Sequence, residues 1–97
     1  MNHTVLDEAG KEVKDAILYY EEQQEGLGVR FRDEADEYIR WILKNPDVPR
    51  LRELGYRRVN FDVFPYYIPY IIHEDHIWIL AFAHASKNPH YWINRKP

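Results

Sequence analysis

The chain has no cysteine among its 97 residues. Disulfide frameworks, zinc sites with thiolate ligands and thiol catalysis are therefore excluded. It has no long apolar run either. The longest, Ile77 to Ala83, falls far short of the roughly 20 residues of a membrane helix. The start, MNHTVLDEAGK, lacks the basic leader and apolar core of a secretory signal. No paired-carboxylate, phosphate-loop or nucleophile-elbow pattern occurs. What these absences leave is one cytoplasmic domain over residues 1–97, held together by its core, with no cofactor and no membrane partner expected.

What is present is aromatic weight. Tyrosine and tryptophan, eight and three, make up most of a 15% aromatic content. Bulky rings help a small domain build an adequate core, and they also favour interfaces. A net charge of −3 argues against a general nucleic-acid binder, but the mean hides an asymmetry. Residues 1–49 carry twelve acids and six bases, whereas residues 50–97 carry four acids and seven bases. An acidic half joined to a basic half permits a local anion-binding face.

Asp7 is placed to cap a helix starting at Glu8. Ala9, Val13, Ala16, Ile17 and Tyr20 then recur as the stripe of a half-buried helix. Lys11, Glu12, Asp15 and Glu22 fall on its other faces. Glu25-Gly26-Leu27-Gly28 ends it, since glycine takes the left-handed conformation past a helix terminus. A second stripe, Phe31, Ala35, Tyr38, Ile39 and Ile42, should stop before Asn45-Pro46, because the residue ahead of proline avoids helical angles. The acids Glu21-Glu22 and Asp33-Glu34-Asp36-Glu37 read as solvated faces.

Asp47 to Gly55 has no period and reads as a loop. From Tyr56 the period becomes two, with Arg57, Val59, Phe61 and Val63 on one face and Tyr56, Arg58, Asn60 and Asp62 on the other. Tyr66 to Ile72 and Ile77 to Ala83 follow as strands around a polar turn, His73-Glu74-Asp75-His76. Thr4 to Leu6 allows a short extra strand. The fold class expected is α+β, a two-helix hairpin on a small antiparallel sheet, with His84 to Pro97 as an extended arm or brief turn. Pro69 fits badly inside its strand, where it cannot donate to the ladder. It requires a bulge or an unpaired edge.

Several of these patterns occur together in one known group. The segment EAGKEVKDAILYYEEQQEGLGVRF resembles the first helix and Gly-Leu-Gly turn of the RelE/ParE superfamily of bacterial toxins. NPDVP resembles its helix exit, YRRVNFDVFPYYIPY its arginine pair and Phe-Pro-Tyr step, and IWILAFAHASKNPHYW its final strand, histidine, basic residue, proline and closing aromatic. The resemblance covers about residues 8–95 and is nearest to the ParE-like, plasmid-stabilisation branch. It implies a type II toxin neutralised by a small cognate antitoxin protein. ParE-like members inhibit DNA gyrase, which is inhibition rather than enzyme catalysis. The alternatives are a RelE-like endoribonuclease acting on messenger RNA at the ribosome, and a non-toxic homologue that keeps only antitoxin binding. Two departures stand out: the N-terminal strand is short, and Ser86 and Lys87 stand where the family commonly carries two basic residues.

The candidate binding residues are Arg57, Arg58, Lys87, Tyr91, Trp92 and Arg95. Lys87 with Arg57 and Arg95 would hold an anionic group, phosphate or acidic side chain. For a ribonuclease the catalytic set would be His84, Lys87, Tyr91 and Arg57. Imidazole serves as base or acid near neutrality, the cations take up phosphate charge, and a tyrosine stacks or relays a proton. The plainer alternative has the His84 ring hydrogen-bonded at a strand end, Tyr91 and Trp92 packed on the sheet, Arg58 in solvent and Arg57 paired with a helix carboxylate. His73-x-x-His76 has metal-ligand composition, but a tight turn does not aim enough donors at one point, and no metal is expected.

Overall fold

A short strand, β1 (Asn2–Val5), leads into α1 (Asp7–Gln23) and α2 (Leu27–Lys44). All 97 residues are described in the structure, a computed structural model. The stripe of α1 is the face that packs: Ala9 and Ala16 are buried, and Val13, Ile17 and Tyr20 are half-buried. Asp7 is not the cap. It is the first helical residue, Leu6 holds the cap position without a side-chain bond, and Asp7 and Glu8 set their charges at the positive end of the helix dipole.

Gly26, at φ +86°, makes the turn between the helices. Glu21 reaches across it, its carboxylate accepting from the backbone N–H of Gly26 at 2.9 Å and of Gly28 at 3.0 Å. A residue expected on a solvated face thus satisfies orphan donors at the start of α2. Gly28 is buried, and a Cβ there would lie 2.5 Å from the Ile17 carbonyl oxygen. The hairpin closes this tightly only because that side chain is missing.

Beyond the loop come β2 (Arg57–Asn60), β3 (Tyr66–His73), β4 (His76–Ile79) and β5 (Ala83–His84). The sheet order is β1-β4-β3-β2, with β5 also on β3. The α+β plan and the helix hairpin are as expected, but the sheet is mixed, because β1 runs parallel to β4. A parallel pair needs a long crossover, and the rest of the chain supplies it. Glu74 and Asp75 both have positive φ, 51° and 59°, the geometry of a two-residue hairpin turn. In that turn the His76 ring bonds Thr4 Oγ1 at 2.7 Å, while His73 lies beside Glu74.

The helices cover one face of the sheet. Phe31, Ile42, Phe61, Ile68, Tyr70 and Ile79 are among the buried residues of that layer. The other face is covered by the C-terminal arm, which ends in a short 3₁₀ turn, Ile93–Arg95, after the fully buried Trp92. Tyr56, Tyr67, Ile71, Leu80, Ala81 and Ala83 complete this second layer.

The strand expected over Ile77 to Ala83 is broken, and Pro69 explains the break. In the register, Tyr70 faces Ile79 but Tyr67 faces Ala83. Two residues of β3, Ile68 and Pro69, are therefore opposed by three: Leu80, Ala81 and Phe82. This is a bulge of one residue, and Leu80 and Ala81 consecutively join the arm-side layer. Leu80 N–H donates to the Pro69 carbonyl at 3.0 Å. The return bond, from residue 69 to the Leu80 carbonyl, cannot form without a proline N–H.

Candidate functional site

The bulge leaves two backbone groups to satisfy, and a pair of charged side chains satisfies both. Arg95 Nη1 donates to the Leu80 carbonyl at 3.0 Å. Glu12, from α1, accepts the Phe82 N–H at 3.2 Å. Arg95 and Glu12 then join each other through two bonds, Nη1 to Oε1 at 2.9 Å and Nη2 to Oε2 at 3.3 Å. Tyr91 adds a phenol O–H donated to Glu12 Oε2 at 2.5 Å. One carboxylate thereby ties α1, the bulge and the C-terminal arm together. With side chains only 16% and 19% exposed, Glu12 and Arg95 form a largely desolvated pair.

These contacts fix the protonation states. Burial and then the hydrogen bond to Glu12 push the Tyr91 phenol well above its ordinary 10.0, so it remains a donor. Burial alone would lower the Arg95 pKa, but the hydrogen bonds and charge of Glu12 outweigh it and the net movement is upward. Arg95 is a permanent cation neutralised by its partner.

Beside this knot a cleft of about 260 Å³ opens between α1 and the sheet, lined by Glu12, Asp15 and Tyr19 of α1 and by Tyr66, His84 and Lys87. Tyr66 and His84 are opposite one another on β3 and β5, their rings edge to face at 5.1 Å. His84 Nδ1 accepts from the Ser86 backbone N–H at 3.0 Å and lies 2.7 Å from Ser86 Oγ. With Nδ1 accepting, the proton of a neutral ring sits on Nε2. His84 in this arrangement offers a donor rather than a base. Burial, reinforced by Tyr20, Tyr19 and Glu12, also holds the Tyr66 phenol above its ordinary range. Lys87 is exposed, with Nζ 5.0 Å from the centre of the Tyr91 ring, and the Arg95 guanidinium lies 5.3 Å from the same centre.

The candidate residues therefore separate into groups. His84, Lys87, Tyr91 and Arg95 come together around Glu12. Trp92 is core, its indole N–H donating to Tyr67 O–H at 3.1 Å. Arg57 faces the helices opposite Tyr70, four positions along β3 from Tyr66 and so roughly 13 Å from the His84 end. There it donates to the Pro49 carbonyl at 3.3 Å and lies 3.9 Å from Asp47, a loop carboxylate rather than a helix one. Arg58 points to the other face and stacks over Tyr67 at 4.4 Å, its Nε buried without a partner. Glu12, Asp15, Tyr19, Tyr66 and Phe82 are lining residues that sequence reasoning did not single out. The available signal for Glu12 was its place four residues from the buried Ala16, on the border of the apolar stripe.

The family model described as ParE toxin of type II toxin-antitoxin system, parDE, matches residues 4–89. The chain belongs to the ParE toxin family. A solved structure described as the chromosomal ParDE TA system from P. aeruginosa contains a chain of the same fold, with a TM-score of 0.66 at 14% identity, over 89% of this chain and 97% of that one. No curated protein matches the chain. The ParE match takes in both helices, β2 to β5, the end of β1, His84 and Lys87, and ends before Tyr91, Trp92 and Arg95.

Proposed function

We propose that this ParE-family chain arrests growth by binding DNA gyrase and stalling it on DNA, rather than by cutting messenger RNA. The observation that carries the reading is the poverty of free cation at the cleft. Cleavage of RNA through a 2′,3′-cyclic phosphate needs a base for the 2′-OH, a cation for the phosphoryl oxygens and an acid for the leaving group. Of the cations expected there, Arg95 is neutralised by Glu12 and Arg57 is far down the sheet, which leaves Lys87 facing two carboxylates. His84 offers a proton rather than a lone pair. An inhibitor that docks on an enzyme requires none of this machinery.

The same reading includes a small antitoxin that covers the toxin. β2 ends the sheet and has an open edge. Beside it, Tyr38, Trp41, Pro49 and Val59 line an apolar groove of about 400 Å³, and Trp41 is 39% exposed. An amphipathic antitoxin segment laid there, as a helix or an added strand, would bury the indole and pair the edge.

The test is induction in cells with both pathways followed. Accumulated cleaved DNA with SOS induction, and inhibition of purified gyrase, are the expected results. Prompt codon-biased cuts in messenger RNA with intact DNA would instead favour the ribonuclease. Normal growth would favour a homologue that retains antitoxin binding alone.

A further inference from the structure

On the arm side of the sheet, away from the helices, lies a second concavity that neither the cleft nor the edge groove uses. It measures about 480 Å³ and is lined by Arg50, Arg52, Glu53, Leu54, Tyr56 and His90. Its rim is rigidly built. Arg52 N–H donates to the Tyr56 carbonyl at 2.8 Å and Gly55 N–H to the Arg52 carbonyl at 3.0 Å. Lys96 Nζ reaches from the C-terminal arm to the Leu54 carbonyl at 2.8 Å. The buried Tyr56 holds the His90 ring through a 3.0 Å hydrogen bond. Leu54 and His90 both hold left-handed backbone angles, φ 76° and 64°. Residues held in that region cost free energy and concentrate at sites where geometry matters.

The side chains on this rim are unspent. Neither Arg50 nor Arg52 makes an ion pair, and neither guanidinium donates a hydrogen bond within the chain. With Lys96 they set three cations against one carboxylate, Glu53, in a chain of net charge −3. We propose that this concavity is a phosphate-binding site that seats the backbone of duplex DNA. A guanidinium presents its donors as a planar fork that matches two phosphate oxygens, and two unpaired forks side by side suit successive phosphates.

The overall acidity of the chain does not oppose this. Its excess acid lies in residues 1–49, chiefly on helices that cover the opposite face of the sheet. Packed layers are about 10 Å apart, and the screening length at physiological salt is about 8 Å. The basic pole therefore acts locally, and repulsion at the helices orients it toward the duplex. The inference does not depend on gyrase as the target, because the site is defined by protein and DNA alone.

The test is anisotropy of a labelled duplex of about 20 base pairs with the full chain, from low to physiological salt. Two to three phosphate contacts predict a slope of log K against log salt of about −2 to −3. Arg50→Glu with Arg52→Glu should weaken binding at least tenfold. Arg30→Glu with Arg32→Glu, on α2, makes the same change in net charge and should leave binding within about twofold. If the Arg50/Arg52 variant melts near the assay temperature, the exposed Arg50→Glu alone carries the comparison. Three results would overturn the proposal: no binding at low salt, equal losses in the two double variants, or an acidic peptide that binds through Arg50 and Arg52 more tightly than the duplex does. The last would assign the site to a protein partner.

Discussion

Replacing Glu12 by alanine tests the knot at the bulge. The carboxylate accepts from the Phe82 N–H, the Tyr91 phenol and both terminal nitrogens of Arg95. Truncation orphans a backbone N–H on a residue only 4% exposed, and an unsatisfied buried donor costs about 1–3 kcal/mol. It also leaves the Arg95 charge without its partner in a site only 19% exposed. Breaking fully buried pairs costs about 3–5 kcal/mol. This site is partly wet, so about 3 kcal/mol in total is the expected loss. For a domain of this size that is a fall in Tm of roughly 12–20 °C, read by circular dichroism. Arg95→Met and the double variant complete a cycle, whose coupling should be about 1–2 kcal/mol. The Tyr91 phenol should also ionise at lower pH in Glu12→Ala, because Glu12 contributes to its raised pKa. A Tm loss under about 4 °C, or coupling below about 0.5 kcal/mol, would refute the view that this pair satisfies the bulge.

Four other positions have defined expected outcomes. Lys87→Glu should abolish growth arrest with a Tm change worth less than about 1 kcal/mol, since the ammonium is exposed; His84→Gln should keep most of the arrest while losing about 1 kcal/mol of stability. A toxic Lys87→Glu, or a folded but harmless His84→Gln, would reverse those roles. Gly28→Ala should destabilise by several kcal/mol, about 2–4, because its Cβ meets backbone at 2.5 Å, and a denaturant midpoint near wild type would show that the hairpin can open there freely. Burial pushes the Tyr70 phenol, which donates to the Pro46 carbonyl at 2.7 Å, up to about 12. A phenol kept neutral in the fold contributes stability that is complete below pH 10 and is lost as pH rises toward 12. About 2 kcal/mol should go over that window, and Tyr70→Phe should show a shallower decline; a flat stability profile to pH 11.5 would contradict it.

The periodic elements were legible in the sequence because a half-buried helix or strand writes its period in apolar residues. Ala9 to Tyr20 and Phe31 to Ile42 needed nothing else, whereas Tyr66 to Ile72, covered on both faces, was legible from its β-branched and aromatic run. Pro69 announced a defect correctly but could not reveal that the extra residue sits in the opposing strand. β1 pairs parallel with β4 through a contact more than seventy residues distant, which no local pattern encodes. The site was half readable. His84 and Lys87, which closely follow the apolar run Ile77 to Ala83 in the sequence, line one cleft. Arg57 does not, because strand position placed it at the far end of the sheet. In the sequence Glu12 and Glu21 look like any charge outside the apolar stripe, since a carboxylate bonded to a distant backbone N–H has the same one-dimensional signature as one in water.

The bulge sets the parity of the strand. Along β4 the odd-numbered residues Ile77 and Ile79 face the helices. Strict alternation would put Ala83 there too and send His84 to the arm side, beside Trp92. Leu80 and Ala81 instead face the same way, parity inverts, and Phe82 and His84 become helix-facing. The side of the sheet on which the histidine and the following lysine stand is thus decided by one surplus residue opposite a proline that touches neither. Removing Leu80 or Ala81 would exchange the two faces for everything from there to His84, although neither residue lines the cleft. In this fold the location of a surface is set by counting rather than by contact, and insertions of one and of two residues at that point would have opposite effects.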